Sequence, residues 1–562
     1  MTASPYLVLL ETSGNQNFIF STNKLKENIG ASELTYRAGT TWVLDAVADI
    51  NQTPELRKWG NSQELRQILR NKDLNPPIEQ GDKPLEIIIA TSGKALILSR
   101  TKEDAKDLIR RVTQRAIAEA PGLNLSGVFV PIQDWDQNNS LDTAIQDVHK
   151  TFEETQPYRP TADARFLRLP IIADCSFSGL PASRLEHTPE NEQVPISQVS
   201  YRKRKAAEAG IRRLHQIPSE NTTPKLIQNI NQLEGDVEWL AIVHADGNGL
   251  GQIFLNFADC LGTAPSNREY ISSYREFSLE LDECTEAAFE KAIQEAFKPN
   301  DKAVPLVPLI VGGDDLTVVC DGKAALKFTQ VFLTQFEAET EQKREISKIA
   351  EKQFSINRLS ACAGIAIIKP HFPFSVAYEL AESLIKSAKS VKQTIIKPNS
   401  KPITPFPCSA IDFHILYDST HIDLERIRRN LQPEATTYLY NRPYVVTELD
   451  KLKSAEGKDW ASQHHWSRLY KRVHDLQSDS DGDQDRDGGV KLPSSQSHAL
   501  RTALFLGREA ANAQYALIQK RYCLERFAED NEKKSLFYQS QDKGQINFHT
   551  TFLDALDAQE FL

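Results

Sequence analysis

The chain of 562 residues has seven cysteines and no CxxC pair. They are scattered: Cys175, Cys260, Cys284, Cys320, Cys362, Cys408 and Cys523. An odd, dispersed set excludes a disulfide framework, argues against a zinc ribbon, and places the chain in a reducing, cytoplasmic setting. No apolar run approaches the ~18 residues of a membrane span. The opening MTASPYLVLLET lacks the basic start and long apolar stretch of a secretion signal, so Leu7 to Leu10 reads as strand. Positive excess is lacking too. The net charge is −10, which weighs against tight unaided binding of nucleic acid. GNGLG (247–251) is not a phosphate-binding P-loop, because no GK[ST] follows, and Gln252 spoils GxGxxG. The acidic stretch Ser478 to Gly489 imitates the start of a calcium loop. Ser494 stands where the bidentate Glu is needed, so the stretch near 478–496 reads as a disordered insert. His474-Asp475 is a lone pair without further metal ligands, so DNA cleavage is not expected.

What is present is an acidic hairpin. Val311-Gly312-Gly313-Asp314-Asp315-Leu316 joins two apolar runs too short for helices, 305–311 and 316–320. The pattern predicts two strands with a pair of carboxylates at the turn. Crowded like charges call for a cation between them. A second acid completes the idea. Ala241 to Ala245 is an apolar strand ending in Asp246, followed by a glycine-rich turn. The interval from Asp246 to Asp314 has room for a helical crossover, and 270–297 carries helical pattern without Pro or Gly. Three carboxylates at the ends of neighbouring strands are the layout of a site for two Mg²⁺ or Mn²⁺ ions acting on nucleotide phosphates.

These residues resemble a known family. ADGNGLG (245–251) with GGDD (312–315) is similar to the large polymerase subunit of type III CRISPR complexes, a distant relative of GGDEF diguanylate cyclases. The strand 359–368 and the helix 377–392 resemble elements that follow the hairpin there. Gln16 to Phe20, Lys24 to Ser32 and Ser178 to Ala182 resemble the family's first palm and the segment between its palms. The resemblance implies a nucleotidyltransferase that turns ATP or other NTPs into cyclic oligonucleotides, such as cyclic oligoadenylate, in antiviral defence. It implies roles as well: Asp246, Asp314 and Asp315 as catalytic metal ligands; Gly247, Asn248, Gly249, Gly312 and Gly313 at the nucleotide. Lys389 would approach the phosphates, with Lys392 second and better read as solvated. Two other readings stay open. One is a scaffold subunit of an RNA-guided complex, its synthesis switched by target RNA. The other is a diguanylate-cyclase-like homodimer. Many relatives carry a cysteine zinc site between the palms, where this chain has only Cys175; no zinc is expected.

The order of elements reads as α+β with an internal repeat. Residues 1–150 give strand, helix (32–50), hairpin (85–98), helix (102–120) and strand (127–131), which is the β-α-β-β-α-β ferredoxin-like palm. Residues 236–400 repeat it. Glu11 stands near the place of Asp246, and Thr91-Ser92-Gly93-Lys94 replaces GGDD. The first copy therefore reads as a degenerate palm, the second as the catalytic one. Residues 151–235 form a connector with a basic helix. Its cluster Arg202-Lys203-Arg204-Lys205, with Arg212-Arg213, is either a solvated face or a contact for triphosphate or RNA. Residues 401–562 read as mainly helical, with Leu500, Leu504, Ala511, Tyr515 and Ile518 as a core-facing stripe.

Overall fold

The computed structural model describes residues 4–160, 163–187, 192–218, 226–227, 233, 237–262, 264–297, 303–399, 403–417, 423–477, 492–522, 524–530, 532–542 and 544–562. Its first sheet holds β1 (Tyr6–Ser13), β2 (Leu85–Thr91), β3 (Lys94–Ser99) and β4 (Asn124–Pro131), in the order β2-β3-β1-β4. β1 runs antiparallel to both β3 and β4, so the sheet is ferredoxin-like. Leu7, Val8, Leu9 and Leu10 of this central strand are all buried, because both sheet faces are covered.

The expected helix over 32–50 is two helices, Leu25–Gly39 and Thr41–Asn51. They break where the chain grazes the β2–β3 turn. A Cβ on Gly39 would lie 1.9 Å from the Thr91 carbonyl oxygen. A further helix, Ser62–Arg70, was not expected, although its signal is in the sequence. Asn61 caps it by accepting from the Glu64 amide at 2.8 Å, while Glu64 accepts from the Gly60 amide at 2.6 Å.

The connector contributes a hairpin, β5 (Ala182–His187) and β6 (Gln193–Ser197), and the helix Gln198–His215. That helix packs on Leu25–Gly39 so closely that a Cβ on Gly30 would meet the Lys203 carbonyl oxygen at 1.7 Å. Its basic cluster divides between packed and exposed residues. Lys203 is buried, donates to the Phe18 carbonyl, and sits 4.5 Å above the Phe18 ring. Burial pushes its pKa down to about 8. Arg204 pairs with Glu27 at 2.8 Å and Arg213 with Glu33 at 2.9 Å. Only Lys205 and Arg212 of the six are exposed. Half of the cluster, Lys203, Arg204 and Arg213, fastens the helix to the first palm.

The second sheet repeats the first. β7 (Leu240–Gly247), β8 (Leu306–Gly312), β9 (Asp315–Asp321) and β10 (Ala361–Ile368) lie in the order β8-β9-β7-β10. The crossover between β7 and β8 is dominated by the helix Asn267–Ala296. One local correction applies to the region read as mainly helical after 400. β11 (Ala410–Ile415) pairs in parallel with β10 and widens the sheet; beyond the short β12 (Thr437–Tyr438), β13 (Tyr444–Val445) adds to its edge. β14 (Tyr538–Asp542) and β15 (Gln545–His549) join β12 in a separate small sheet. The stripe Leu500, Leu504, Ala511, Tyr515 and Ile518 is buried on two helices, Ser494–Phe505 and Arg508–Ile518. Residues 478–491 of the acidic stretch lie outside the described residues; the chain is helical again at Ser494. The architecture is α+β, with two ferredoxin-like palms.

The palms meet along the helix Asn267–Ala296. Arg268 and Arg275 both reach Glu86 on β2, each at 2.7 Å. Nearby, the Ser32 hydroxyl donates to the Leu309 carbonyl at 2.5 Å. Among the described residues, no helix is long and apolar enough to cross a membrane.

Candidate metal centre between the palms

β8 and β9 pair up to Gly312 and Asp315, leaving Gly313 and Asp314 as the two turn residues. Gly313 has φ +61°, while Asp314 is not in the left-handed region. That is the pattern of a type II′ turn, which demands glycine first. Asp246 lies one step past the last β7–β9 pair, Ala245 opposite Leu316. The turn therefore folds Asp314 and Asp315 over the end of β7. Ligand oxygens of Asp246, Asp314 and Asp315 lie within 4.8 Å of one another. Among the described residues, this is the group of three or more His, Cys, Asp or Glu side chains that converges so.

The approach depends on Gly247. A Cβ there would stand 2.9 Å from both the Cβ and Oδ2 of Asp314. Enclosure, then the neighbouring Asp246 carboxylate, pushes the Asp314 carboxyl up to about 7. Burial, then Asp314 and Asp246, raises Asp315 well above the usual carboxylate range. The cluster is thus short of positive charge. Lys389, just past the helix Phe374–Ala388, supplies some: its ammonium contacts Asp246 Oδ2 and lies 3.3 Å from the Gly247 carbonyl. Lys392 is exposed. An all-oxygen donor set without Cys or His suits hard cations such as Mg²⁺ or Mn²⁺. Crowded, proton-retaining carboxylates are what such a cation would relieve.

Beneath the carboxylates is a floor that sequence reasoning missed. His244 is two residues before Asp246, hence on the same strand face. It is buried and lies 3.0 Å from the hydroxyl of its cross-strand partner Thr317. Burial lowers its pKa, keeping the ring neutral. The Tyr378 ring is 5.5 Å away and stacks on Phe20 of the first palm. Asn248, expected at the nucleotide, is hydrogen-bonded into the sheet. Its amide nitrogen donates to Ser360 O, and its side chain donates to Ser360 Oγ and the Cys408 carbonyl. It ties the turn to the sheet. Gly249 opens the helix Leu250–Leu255 against the Phe354 ring. Neither residue lines the cavity, whereas Gly312 and Gly313 do.

That cavity, about 490 Å³, lies between the palms and is walled by both hairpins. On the first-palm side, β-sheet register puts Lys94 opposite Glu11, where the second palm has Asp315 beside Asp246. Lys94 and Glu11 form an ion pair at 3.5 Å. The first palm has therefore replaced a carboxylate cluster with an internal pair and cannot hold metal in the same way.

Fold and site together define a palm domain with a carboxylate centre on its hairpin. Residues 239–395 match the family described as Cas10/Cmr2, second palm domain. No curated protein matches. Among solved structures, the Csm1–Csm4 cassette in complex with one ATP is 12% identical, with a TM-score of 0.47, covering 94% of this chain and 66% of that one. The cassette in complex with AMPPNP is 11% identical, TM-score 0.46, covering 94% and 65%. Csm1 from T. onnurineus is 12% identical, TM-score 0.44, covering 92% and 64%. The chain spans less than two thirds of the length of the structures it is compared with, down to 53%.

Proposed function

We propose that the chain is a metal-dependent nucleotidyltransferase that joins ATP, or other NTPs, through 3′–5′ linkages into short cyclic oligonucleotides. The observation that carries this reading is the convergence of Asp246, Asp314 and Asp315 at a cavity between two palms, within the segment matching the Cas10/Cmr2 second palm. Asp246, Asp314 and Asp315 would hold two divalent cations. When bound, such ions lower the pKa of a ribose 3′-hydroxyl and neutralise the triphosphate and its leaving pyrophosphate.

The chain's own residues do the rest. Asp246 and Asp314 fix the centre at the meeting of strand end and turn. Gly312 and Gly313 put bare backbone at the cavity wall, so a nucleotide can approach closely. Lys389 offers a cation at the edge of the carboxylates. Neutral His244 and Thr317 form a floor that adds no competing positive charge. Opposite, Thr12, Asn15, Thr35 and Lys94 of the first palm supply hydroxyl, amide and ammonium groups to the same cavity. A second nucleotide would rest there as acceptor. The volume falls within the ~300–1,000 Å³ of small-molecule sites. The setting that follows from the family is a type III CRISPR complex with RNA.

The test is incubation with each NTP and Mg²⁺ or Mn²⁺, with and without guide-matched RNA. Pyrophosphate release and mass spectrometry of the products are the readouts. Cyclic oligonucleotides lost in Asp314→Asn support the reading. Absence of both pyrophosphate and oligonucleotide under every condition overturns it.

A further inference from the structure

The carboxylate turn does not stand alone; a helix of its own palm holds it, and a residue of the other palm holds that helix's side chain. Asp282, on the helix Asn267–Ala296, accepts from the Gly313 amide through Oδ1 at 3.1 Å. One turn along the same helix, the Thr285 hydroxyl donates to the Gly313 carbonyl. The peptide units at the tip of GGDD are thus gripped from below. Gly312 makes room for this: a Cβ there would meet Asp282 Oδ1 at 3.0 Å.

Asp282 is in turn fixed from across the seam. Arg66, on the first-palm helix Ser62–Arg70, donates through Nη1 to Asp282 Oδ2 at 2.6 Å. Its Nη2 donates to Glu286 at 2.7 Å, and its Nε lies 3.6 Å from Glu283. The Arg66 side chain is 8% exposed. Asp282 and Glu286 are four residues apart on one helix face, so without a cation they repel. A planar guanidinium matches two carboxylates at once, as an ammonium does not. Removing it leaves two acids crowded at a buried seam. The cheapest relief is for Asp282 to turn toward solvent and release Gly313.

We infer that Arg66 is a positioning residue for the carboxylate centre: it acts through Asp282 to fix the turn bearing Asp314 and Asp315. The first palm, whose hairpin turn Thr91-Ser92-Gly93-Lys94 has no carboxylate, contributes to the second palm's centre by this route. The inference rests on the reading of that centre as a metal site, but its first test does not.

Hydrogen exchange over 306–321 in metal-free protein reads the grip directly. Arg66→Met should speed exchange at the hairpin tip about tenfold, with the core strands unchanged. Mn²⁺ binding should weaken about 10- to 100-fold, the usual effect of losing an outer partner of a metal site. Arg66→Lys should recover part of both. Arg70→Gln is the control. Arg70 pairs with Glu276 and Glu283 on the same helix without touching the turn, so its loss should leave both readouts alone. Should Arg66→Met fail to fold, Asp282→Ala tests the same link from the other side. Combined, the two changes should do no more than either alone, because they break one chain of contacts. Wild-type exchange and Mn²⁺ affinity in Arg66→Met or Asp282→Ala, or fully additive effects, would overturn the inference. A wild-type protein that binds no Mn²⁺ would sink the functional reading instead, and hydrogen exchange would still judge Arg66.

Discussion

Asp314 is the residue on which the charge balance of the centre turns. Its carboxyl titrates near 7 in the fold, because it is enclosed beside Asp246, against roughly 3.9 in an unfolded chain. Between those values the native state holds a proton that the unfolded chain has lost. Stability of the metal-free protein therefore falls as pH rises through that window. Thermal melts in chelator should show a lower Tm at about pH 8 than at about pH 5.5, and Asp314→Asn should flatten part of that slope. Mn²⁺ should restore the wild-type Tm at the higher pH and leave the variant where it was. An unchanged slope in Asp314→Asn would assign it to other groups. Asp246→Asn keeps the shape but removes a charge at the strand end; since bound ions supply several kcal/mol of transition-state stabilisation, turnover should drop about 100-fold or more. The three acids were legible as a set because Asp246 closes one apolar strand and Asp314-Asp315 sit on a short hairpin turn, so a sheet that pairs the two strands brings them together. His244 was legible in principle from its two-residue offset on the same strand. Asp282 was not, since it is one of many acids on a long helix and nothing in the sequence says which one faces the turn.

At the scale of elements, the hairpin tip depends on two glycines for opposite reasons, and substitution separates them. Gly313 has φ +61° and open space around its missing Cβ. Gly313→Ala should cost about 1–2 kcal/mol of backbone strain, seen as a modest fall in Tm. Gly247 is not in the left-handed region, but its missing Cβ would crowd Asp314 and, at 2.5 Å, Leu250. Gly247→Ala should force the turn and the strand end apart, weakening Mn²⁺ binding more than it lowers Tm; calorimetry of binding beside thermal melts separates the two. Equal effects of both variants on both readouts would count against this division. The elements themselves were mostly readable, since short apolar runs bounded by glycine and acid mark the strands of both palms. The exceptions share a physical cause. The break at Thr40 comes from the approach of Gly39 to a turn far along the chain. β11 is a strand because the edge of β10 is there to pair with, and local pattern shows no partner.

At the scale of the whole molecule, the least legible feature is the seam, because pairing between distant charges leaves no periodicity. Glu86 shows how it is built. It lies on β2 of the first palm, fully buried, with Arg268 and Arg275 of the second palm against it and the Ile78 amide donating to it at 2.7 Å. Burial opposes its charge, but the two guanidinium groups outweigh that and hold its pKa below the ordinary value. A carboxyl depressed in the fold contributes stability above its unfolded pKa, roughly 4.3, and loses it as pH falls through the folded value. The seam should therefore loosen in acid, in the opposite direction to the Asp314 contribution. Glu86→Gln removes the charge and leaves Arg275 without its carboxylate partner at a buried site, while Arg268 keeps Glu79. Breaking a buried pair in this way costs about 3–5 kcal/mol, against less than about 1 kcal/mol for an exposed pair. The exposed comparison is Asp107→Asn, whose partners Arg110 and Arg111 lie on the outer face of one helix. Chemical denaturation at neutral pH should show a large loss for Glu86→Gln and a small one for Asp107→Asn. High salt should narrow the second difference and spare the first, because bulk ions do not screen a pair they cannot reach. Similar small losses for both would mean that the palms are held by their apolar contacts, with the charges of the seam setting alignment and not strength.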